Sequence, residues 1–348
     1  MKPLIFILGL SLGLYMGFWQ GTSKPKSNKW KWIAFLIVVV TIFISFLPPI
    51  AGSFSDIEYM FKYKKDFSAP VLLTPNPSTI IQNKDKNFWE IKADNPGMKD
   101  SQQRSIFKSN TIPEEFKSNK KIIALFKYNI DENAFECIKT ESVSPIFTLP
   151  LILILGERAR ILFYHVPVAW ISVLAYLISM IYSIMYLRTR KIENDIKAAS
   201  SAALGILFCL LATITGMLWA KFNWGQFWNW DPRETSIFML LLIYFAYFGL
   251  RTAIENPETK ARLSSVYSII AFITVPFFVF VLPRITSGLH PGSQDDTSSG
   301  PILSGQSESL NFAKQIIFSL ALSSFTIIYF WLFNLTVRIN KIKHLTNN

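Results

Sequence analysis

Two of the three histidines occupy positions that suit metal binding. His165 lies in RARILFYHVPVAW (158–170) and His290 in LPRITSGLHPGSQ (282–294), each beside a long apolar stretch, whereas His344 lies in a basic tail and is expected to be solvated. Imidazole is a good iron ligand, and two imidazoles on opposite sides of a porphyrin give a six-coordinate heme. A single histidine near a helix end is also commonly hydrogen-bonded to a neighbour or placed among lipid headgroups. The pair is therefore a hypothesis that needs a common location.

A dense tryptophan cluster lies between these histidines, in WAKFNWGQFWNWDPRETS (219–236). Four of the ten tryptophans fall within twelve residues: Trp219, Trp224, Trp228 and Trp230. Scattered tryptophans would be read as an aromatic belt at the membrane interface. A cluster this tight exceeds what anchoring requires, and flat aromatic faces suit a flat macrocycle. Gly225 is expected to allow its close approach.

The charged residues after the cluster resemble a helix start. In Asp231-Pro232-Arg233-Glu234, aspartate is a good N-cap, proline suits the first helical position and the glutamate completes a capping box. Asp231 and Glu234 are therefore expected to be caps first and ligand contacts second. The guanidinium of Arg233 suits bidentate pairing with a carboxylate such as a heme propionate, with lipid headgroups as the alternative partner.

The composition places these motifs in a membrane protein. Of 348 residues, 51% are hydrophobic, 15% aromatic and 17% charged, which excludes disorder and disfavours an ordinary soluble globule. Apolar segments near the roughly 20 residues that cross a bilayer predict seven spans: 3–19, 32–50, 161–187, 198–219, 236–250, 263–283 and 315–337. The first lacks a small-residue cleavage site and is expected to be retained. The expected fold class is an all-α polytopic membrane protein with about seven transmembrane helices.

The net charge of +12 indicates how the spans are oriented. With the carboxyl terminus in the cytoplasm, the cytoplasmic segments (20–31, 188–197, 251–262 and 338–348) hold 14 basic and 4 acidic residues. The remaining segments total only +2. Basic residues favour the cytoplasmic side, so the amino terminus is predicted outside, and both candidate histidines and the tryptophans meet the outer face. Because the basic residues form no single patch, nucleic-acid binding is not expected.

The segment 52–150 is polar and interrupted by prolines, and it predicts a small extracytoplasmic α+β or β insertion. IIALFKYNI (122–130), a turn at 131–133 and AFECIKT (134–140) indicate a hairpin. A mobile, partly disordered loop is the alternative. The apolar run 146–155 is too short to span and is expected at the interface or leading into the next helix. Cys137 and Cys209 are not expected to form a disulfide, since Cys209 falls within a span.

Three motifs together resemble a known family. WGQFWNWD (224–231) resembles the WWD signature of the heme-handling membrane proteins of cytochrome c biogenesis. FYHVPVAW (163–170) is similar to the first-histidine motif of the heme exporter protein C (CcmC) family, and GLHPGS (288–293) to the position of its second histidine. The resemblance covers roughly 158–337, with the helix at 32–50 matched by position. The extra first helix, the insertion and the absence of tryptophan before His290 depart from it, and WDPRET (230–235) looks like the related CcsA branch.

The resemblance implies heme b bound at the outer face of a bacterial inner membrane. His165 and His290 would be the axial iron ligands, and the segment 219–235 would hold the porphyrin. It implies contacts from Trp219, Trp224, Gly225, Trp228, Trp230, Asp231 and Arg233. CcmC-like proteins pass heme to a periplasmic heme chaperone with ABC-type transporter subunits, whereas the CcsA-like branch presents it to apocytochrome c with a large synthetase partner. Neither role is that of a conventional enzyme.

The expected organisation is two amino-terminal spans (1–51), the insertion (52–150), the heme-handling membrane domain (151–337) and a cytoplasmic tail (338–348). Two other functions are compatible with a polytopic chain. A secondary transporter would have acidic residues or broken helices at midplane, and the predicted spans hold no Asp or Glu in their central parts. A membrane redox enzyme using heme b would bury its histidines within helices, whereas here both lie toward one face.

Overall fold

The computed structural model describes residues 2–83, 88–94, 102–108, 111–151, 155–290, 293–294 and 312–346. The chain divides into two compact units, a helical unit formed by Met1–Phe46 with Arg160–Asn348, and a β unit formed by Leu47–Ala159. The helices are α1 (Lys2–Phe18), α2 (Asn28–Phe46), α3 (Phe54–Phe61, in the β unit), α4 (Leu162–Thr189), α5 (Ile192–Trp224), α6 (Pro232–Ala253), α7 (Pro257–Pro276), α8 (Leu282–Ile285) and α9 (Phe312–Thr346).

The long helices of the helical unit are apolar over most of their length. Within the described residues, six helical segments are long and apolar enough to cross a membrane, and a shorter apolar helix covers Leu4–Phe18. The chain is therefore a mostly helical, multi-pass membrane protein, as predicted. The predicted count of seven is not confirmed, because α1, the predicted first span, is 17 residues long, at the lower end of the range that can cross a bilayer.

A row of glycines packs α1 against α9. A Cβ added at Gly9 would lie 2.1 Å from Ser319 Oγ, and one added at Gly13 would lie 2.6 Å from Thr326 Cβ. Ser323 Oγ also donates a hydrogen bond to the Gly9 carbonyl at 2.6 Å. Glycines at four-residue spacing let two helix backbones approach closely where no hydrophobic effect drives association.

Ion pairs fix the end of the bundle where α5 begins. Arg251 of α6 donates two hydrogen bonds to Asp195 of α5, at 2.7 and 2.9 Å, and both side chains are largely buried. Glu193 accepts from Ser23 at 2.8 Å and pairs with Lys197 and Lys341 at 2.9 and 2.8 Å. These contacts join the α1–α2 connection, α5, α6 and α9 at one level.

The β unit is a small closed barrel. Its strands are β1 (Ile50–Ala51), β2 (Ser68–Pro75), β3 (Ile81–Asn83), β4 (Phe88–Asp94), β5 (Gln102–Phe107), β6 (Ile122–Asn129), β7 (Ala134–Val143) and β8 (Leu149–Pro150). The ring runs β2-β6-β7-β5-β4 and closes through a β2–β4 pairing, and β3 extends β4. All pairings in the ring are antiparallel except β5–β7. Five strands with this connectivity form a Greek-key barrel of the OB type.

Aromatic side chains fill the barrel. Phe54 of α3, Phe116 and Phe126 are fully buried in one core with residues from several strands. The predicted hairpin is confirmed as β6 and β7, with Asn133 in the turn at φ 45°. The alternative of a partly disordered loop is wrong for the described residues, because alternating apolar side chains supply a core. Within the apolar run 146–155, β8 pairs with β1 in parallel, and residues 152–154 lie outside the described residues. The run is followed by a 3₁₀ helix, Gly156–Ile161, which leads into α4.

Candidate functional site

His290 follows α8 and lies beside the start of α6. A π-helical segment (Phe277–Val281) and α8 follow α7 and lead the chain to it. Its Nδ1 lies 2.8 Å from Asp231 Oδ1, and its ring packs edge-on against Trp224, with the centroids 4.7 Å apart. A carboxylate only accepts, so Nδ1 of His290 donates this hydrogen bond.

Asp231 has a second structural role at this point. Its side chain accepts from the Arg233 amide at 2.9 Å, and Glu234 Oε2 accepts from the Asp231 amide at 3.3 Å, which confirms the predicted capping box of α6. Its other oxygen accepts from the Leu289 amide at 2.7 Å. Burial opposes ionisation of this carboxyl, but the hydrogen bond to His290 and those from the two amides outweigh it and lower the pKa of Asp231 to about 2. The carboxylate is thus charged at neutral pH.

Gly288 allows the histidine connection to lie this close to α6. A Cβ at Gly288 would be 2.8 Å from Asp231 Oδ2 and 3.0 Å from Pro232 Cδ. Ser293, which is buried, donates to the Gly288 carbonyl at 2.9 Å. The requirement for glycine here was not recognised from the sequence, because only the fold shows what faces the missing side chain.

His165 lies in the first turns of α4 and faces α5. Its Nδ1 is 2.9 Å from Thr215 Oγ1, and Gly216 leaves room for the ring, since a Cβ there would be 3.1 Å from His165 Cε1. The Thr215 hydroxyl directs its own hydrogen at the Leu211 carbonyl, 2.8 Å away. Its oxygen therefore accepts the Nδ1 hydrogen of His165. A threonine and glycine together inside an apolar helix were the available sequence signal, and it was missed.

Both histidines are thus fixed in the same tautomer. Because each Nδ1 carries the hydrogen, a neutral ring has its lone pair on Nε2, the nitrogen left for a metal. Thr215 and Trp224, which contact the two rings, are nine residues apart on α5, about 13 Å at 1.5 Å per residue. A ligand that uses both imidazoles must therefore lie along the end of α5.

The four tryptophans of the cluster lie on two different parts of the fold. Trp219 and Trp224 belong to the last turns of α5, because that helix continues to Trp224. Gly225 ends it at φ 85°, and a Cβ there would meet no heavy atom within 4 Å, so this glycine stops the helix in the left-handed conformation. Trp228 and Trp230 follow in the connection to α6 and pack edge to face, with centroids 5.8 Å apart.

Trp230 combines a left-handed backbone conformation with a highly exposed side chain, which is unusual for a large residue. Its φ is 55° and it is 70% exposed. A bulky residue in the left-handed region is strained, and such strain is concentrated at functional sites. The exposed indole of Trp230 supplies an apolar surface beside Asp231.

The described residues contain no group of three or more His, Cys, Asp or Glu side chains that would hold a bare metal ion. Two imidazoles, by contrast, suffice for an iron that already has four porphyrin nitrogens, since only the two axial positions remain. The donor set therefore fits heme better than a free metal ion. The two cysteines, Cys137 and Cys209, are both reduced and lie in different units.

The fold and this site define a multi-pass membrane protein with two histidines presented beside a tryptophan-rich helix connection. The family model described as heme exporter protein C matches residues 115–344. The chain belongs to the heme exporter protein C (CcmC) family. His165, His290 and the tryptophan cluster all fall within the matched region.

Individual relatives agree with this assignment. The chain is 32% identical over 147 residues to heme exporter protein C of Rhodobacter capsulatus, covering 42% of this chain and 61% of that protein. It is 37% identical over 125 residues to the putative cytochrome c biosynthesis ccmC-like mitochondrial protein of Marchantia polymorpha, covering 36% and 52%. The heme exporter protein C of Escherichia coli K12 is 28% identical over 138 residues, covering 40% and 56%. The chain thus spans about half to three fifths of the length of these relatives.

Proposed function

We propose that the protein binds heme between His165 and His290 and delivers it for cytochrome c maturation. The observation that carries the proposal is the common tautomer of the two imidazoles. Asp231 and Thr215 each engage Nδ1 of one ring, so both Nε2 atoms are available to iron. Metal-binding histidines almost always use their second ring nitrogen in this way.

The remaining predicted site residues lie between the two histidines in the sequence. In this proposal they supply the surface on which the porphyrin rests. Trp224 supports the His290 ring directly, and Trp219, Trp228 and Trp230 add apolar area on the end of α5 and beyond it. Arg233, on the first turn of α6, would pair with a propionate. Heme b is the proposed form, because the chain has no Cys-x-x-Cys-His for covalent attachment.

Delivery requires that the heme be released. The proposed receiver is a periplasmic heme chaperone, with ABC-type transporter subunits as further partners, in a bacterial inner membrane with the amino terminus outside and the carboxyl terminus in the cytoplasm. Bis-histidine ligation from two separate segments, the start of α4 and the chain after α8, suits release, because one segment can move without the other. The protein would act as a carrier and not as an enzyme.

A CcsA-like synthetase component, working with a large partner and apocytochrome c, is the alternative. WDPRET (230–235) is the feature that favours it. The family assignment and the names of the relatives favour the heme exporter branch. Copurification distinguishes the two proposals. A heme exporter role predicts that ABC-type subunits copurify with the protein, and a CcsA-like role predicts a large synthetase subunit instead.

The heme site is tested by spectroscopy of the purified protein. Wild type is expected to carry heme with a bis-histidine Soret spectrum, and both His165→Ala and His290→Ala are expected to weaken it strongly. His344→Ala is the matched control, because this histidine lies in the last turn of α9. Wild-type protein that contains no heme would disprove the proposal.

We further propose that the barrel, in the segment 52–150, docks a partner. Ile50 and Leu149 are paired neighbours on β1 and β8, so the residues between them can be removed and the two ends joined by a short linker. The shortened protein is expected to keep heme but to lose cytochrome c maturation in cells. Normal maturation would rule out docking by the barrel.

A further inference from the structure

The two candidate axial histidines have different hydrogen-bond partners. His290 donates from Nδ1 to a buried carboxylate, Asp231, whose side chain is 1% exposed. His165 donates to the neutral hydroxyl of Thr215. Hydrogen bonds to an ionised acceptor are about twice as strong as neutral ones.

This difference changes the ligand strength of each ring. A carboxylate that accepts the Nδ1 hydrogen draws it away from the ring and makes Nε2 a better electron donor to iron. The Thr215 oxygen does this more weakly, because it carries no negative charge. The stronger of the two iron bonds is therefore expected at His290.

The surroundings of the two rings point the same way. The His290 connection is held by Leu289 N to Asp231 at 2.7 Å, Ser293 Oγ to the Gly288 carbonyl at 2.9 Å and Gln294 N to the Thr286 carbonyl at 3.2 Å. Trp224 also packs on its ring. The His165 ring has its hydrogen bond to Thr215 and a further one to the backbone of Ala212. It lies on an α4 start whose N-cap, Ile161, makes no side-chain cap.

Resting on the proposed function, we infer that His290 is the retained ligand and His165 the exchangeable one, with Asp231 as the positioning residue that sets this order. When heme leaves, the His165 bond to iron breaks first, with its electron pair remaining on Nε2. An incoming ligand from the receiver then occupies that coordination position while His290 still holds the other face. Asp231 thus links the start of α6 to the direction of delivery.

The test uses carbon monoxide on the full-length, heme-loaded protein after reduction, because carbon monoxide displaces the weaker axial ligand and its C–O stretching frequency reports the ligand that stays. Asp231→Asn keeps a good N-cap but removes the carboxylate charge, and Thr215→Val removes the acceptor for His165. The frequency is expected to shift in Asp231→Asn and to stay at the wild-type value in Thr215→Val. A shift in Thr215→Val, or none in Asp231→Asn, would overturn the inference.

A second measurement does not depend on the Asp231 variant. His165→Gly and His290→Gly are loaded with heme in the presence of imidazole, and loss of heme to apomyoglobin is followed after the imidazole is removed. His290→Gly is expected to lose heme at least about tenfold faster than His165→Gly. Tenfold is the lower end of the loss in metal affinity when a residue that supports a metal ligand is changed. Equal rates, or the reverse order, would contradict the inference while leaving heme binding intact. A wild-type protein without a Soret band would instead overturn the proposed function itself.

Discussion

Nδ1 of His290 donates to Oδ1 of Asp231 across 2.8 Å, although the two residues are 59 positions apart in the chain. The same carboxylate caps α6 through the Arg233 amide. One side chain thus fixes both where α6 begins and how the imidazole is oriented. Any change that displaces the connection carrying His290 should therefore affect the site before it affects the bundle.

Gly288→Ala is expected to weaken the site selectively. The new Cβ would meet Asp231 Oδ2 at 2.8 Å, so the connection must move away and the hydrogen bond to His290 lengthens. Heme retention should fall about tenfold, as when the partner of a metal ligand is removed, while the melting temperature changes little. Gly249→Ala is the control, because nothing lies within 4 Å of that Cβ position. Unchanged retention in Gly288→Ala would show that the Asp231–His290 contact does not govern binding.

Gly13→Leu is expected to separate α1 from α9. Even a Cβ at Gly13 would lie 2.6 Å from Thr326 Cβ, and a leucine cannot be accommodated between the backbones. The melting temperature in detergent, followed by tryptophan fluorescence, should fall by several degrees. Leu8→Val is the control, since Leu8 is 60% exposed on the outer surface of the same helix. Equal melting temperatures for both variants would indicate that α1 contributes little to the bundle.

Asp195→Asn is expected to destabilise the opposite end of the bundle. It leaves the Arg251 guanidinium without its charged partner in a largely buried position, and breaking a buried pair from one side costs about 3–5 kcal/mol. The double variant Asp195→Leu with Arg251→Met should recover much of the loss, because no charge then remains buried. Denaturation in detergent measures both. A double variant less stable than the single one would contradict this account.

The sequence located the histidines and the α6 cap because both depend on residue type and local spacing. A capping box is complete within four residues, and apolar length marks the spans. The Asp231–His290 contact, and the role of Thr215 beside His165, depend on which helix ends meet, and periodicity does not encode that. The glycines of α1 show their four-residue spacing in the sequence, but only the fold identifies α9 as their partner. The predicted span 198–219 stops before the end of α5 at Trp224, because polar and aromatic residues continue the helix beyond its apolar part.

Cys137 in the barrel is expected to be an unreactive thiol at neutral pH. Burial and, to a lesser extent, the nearby charge of Glu115 raise the pKa of Cys137 to about 12. The thiolate is the reactive form, and a raised pKa keeps the folded protein's thiol protonated until the pH approaches 12. In a Cys209→Ser background, labelling by N-ethylmaleimide at pH 8 should be slow when native and fast after denaturation, because the unfolded thiol titrates near its ordinary value. Glu115→Gln should accelerate native labelling only slightly, since burial is the larger cause. Fast native labelling at pH 8 would mean that the barrel opens around β7 and would contradict a partly buried, protonated Cys137.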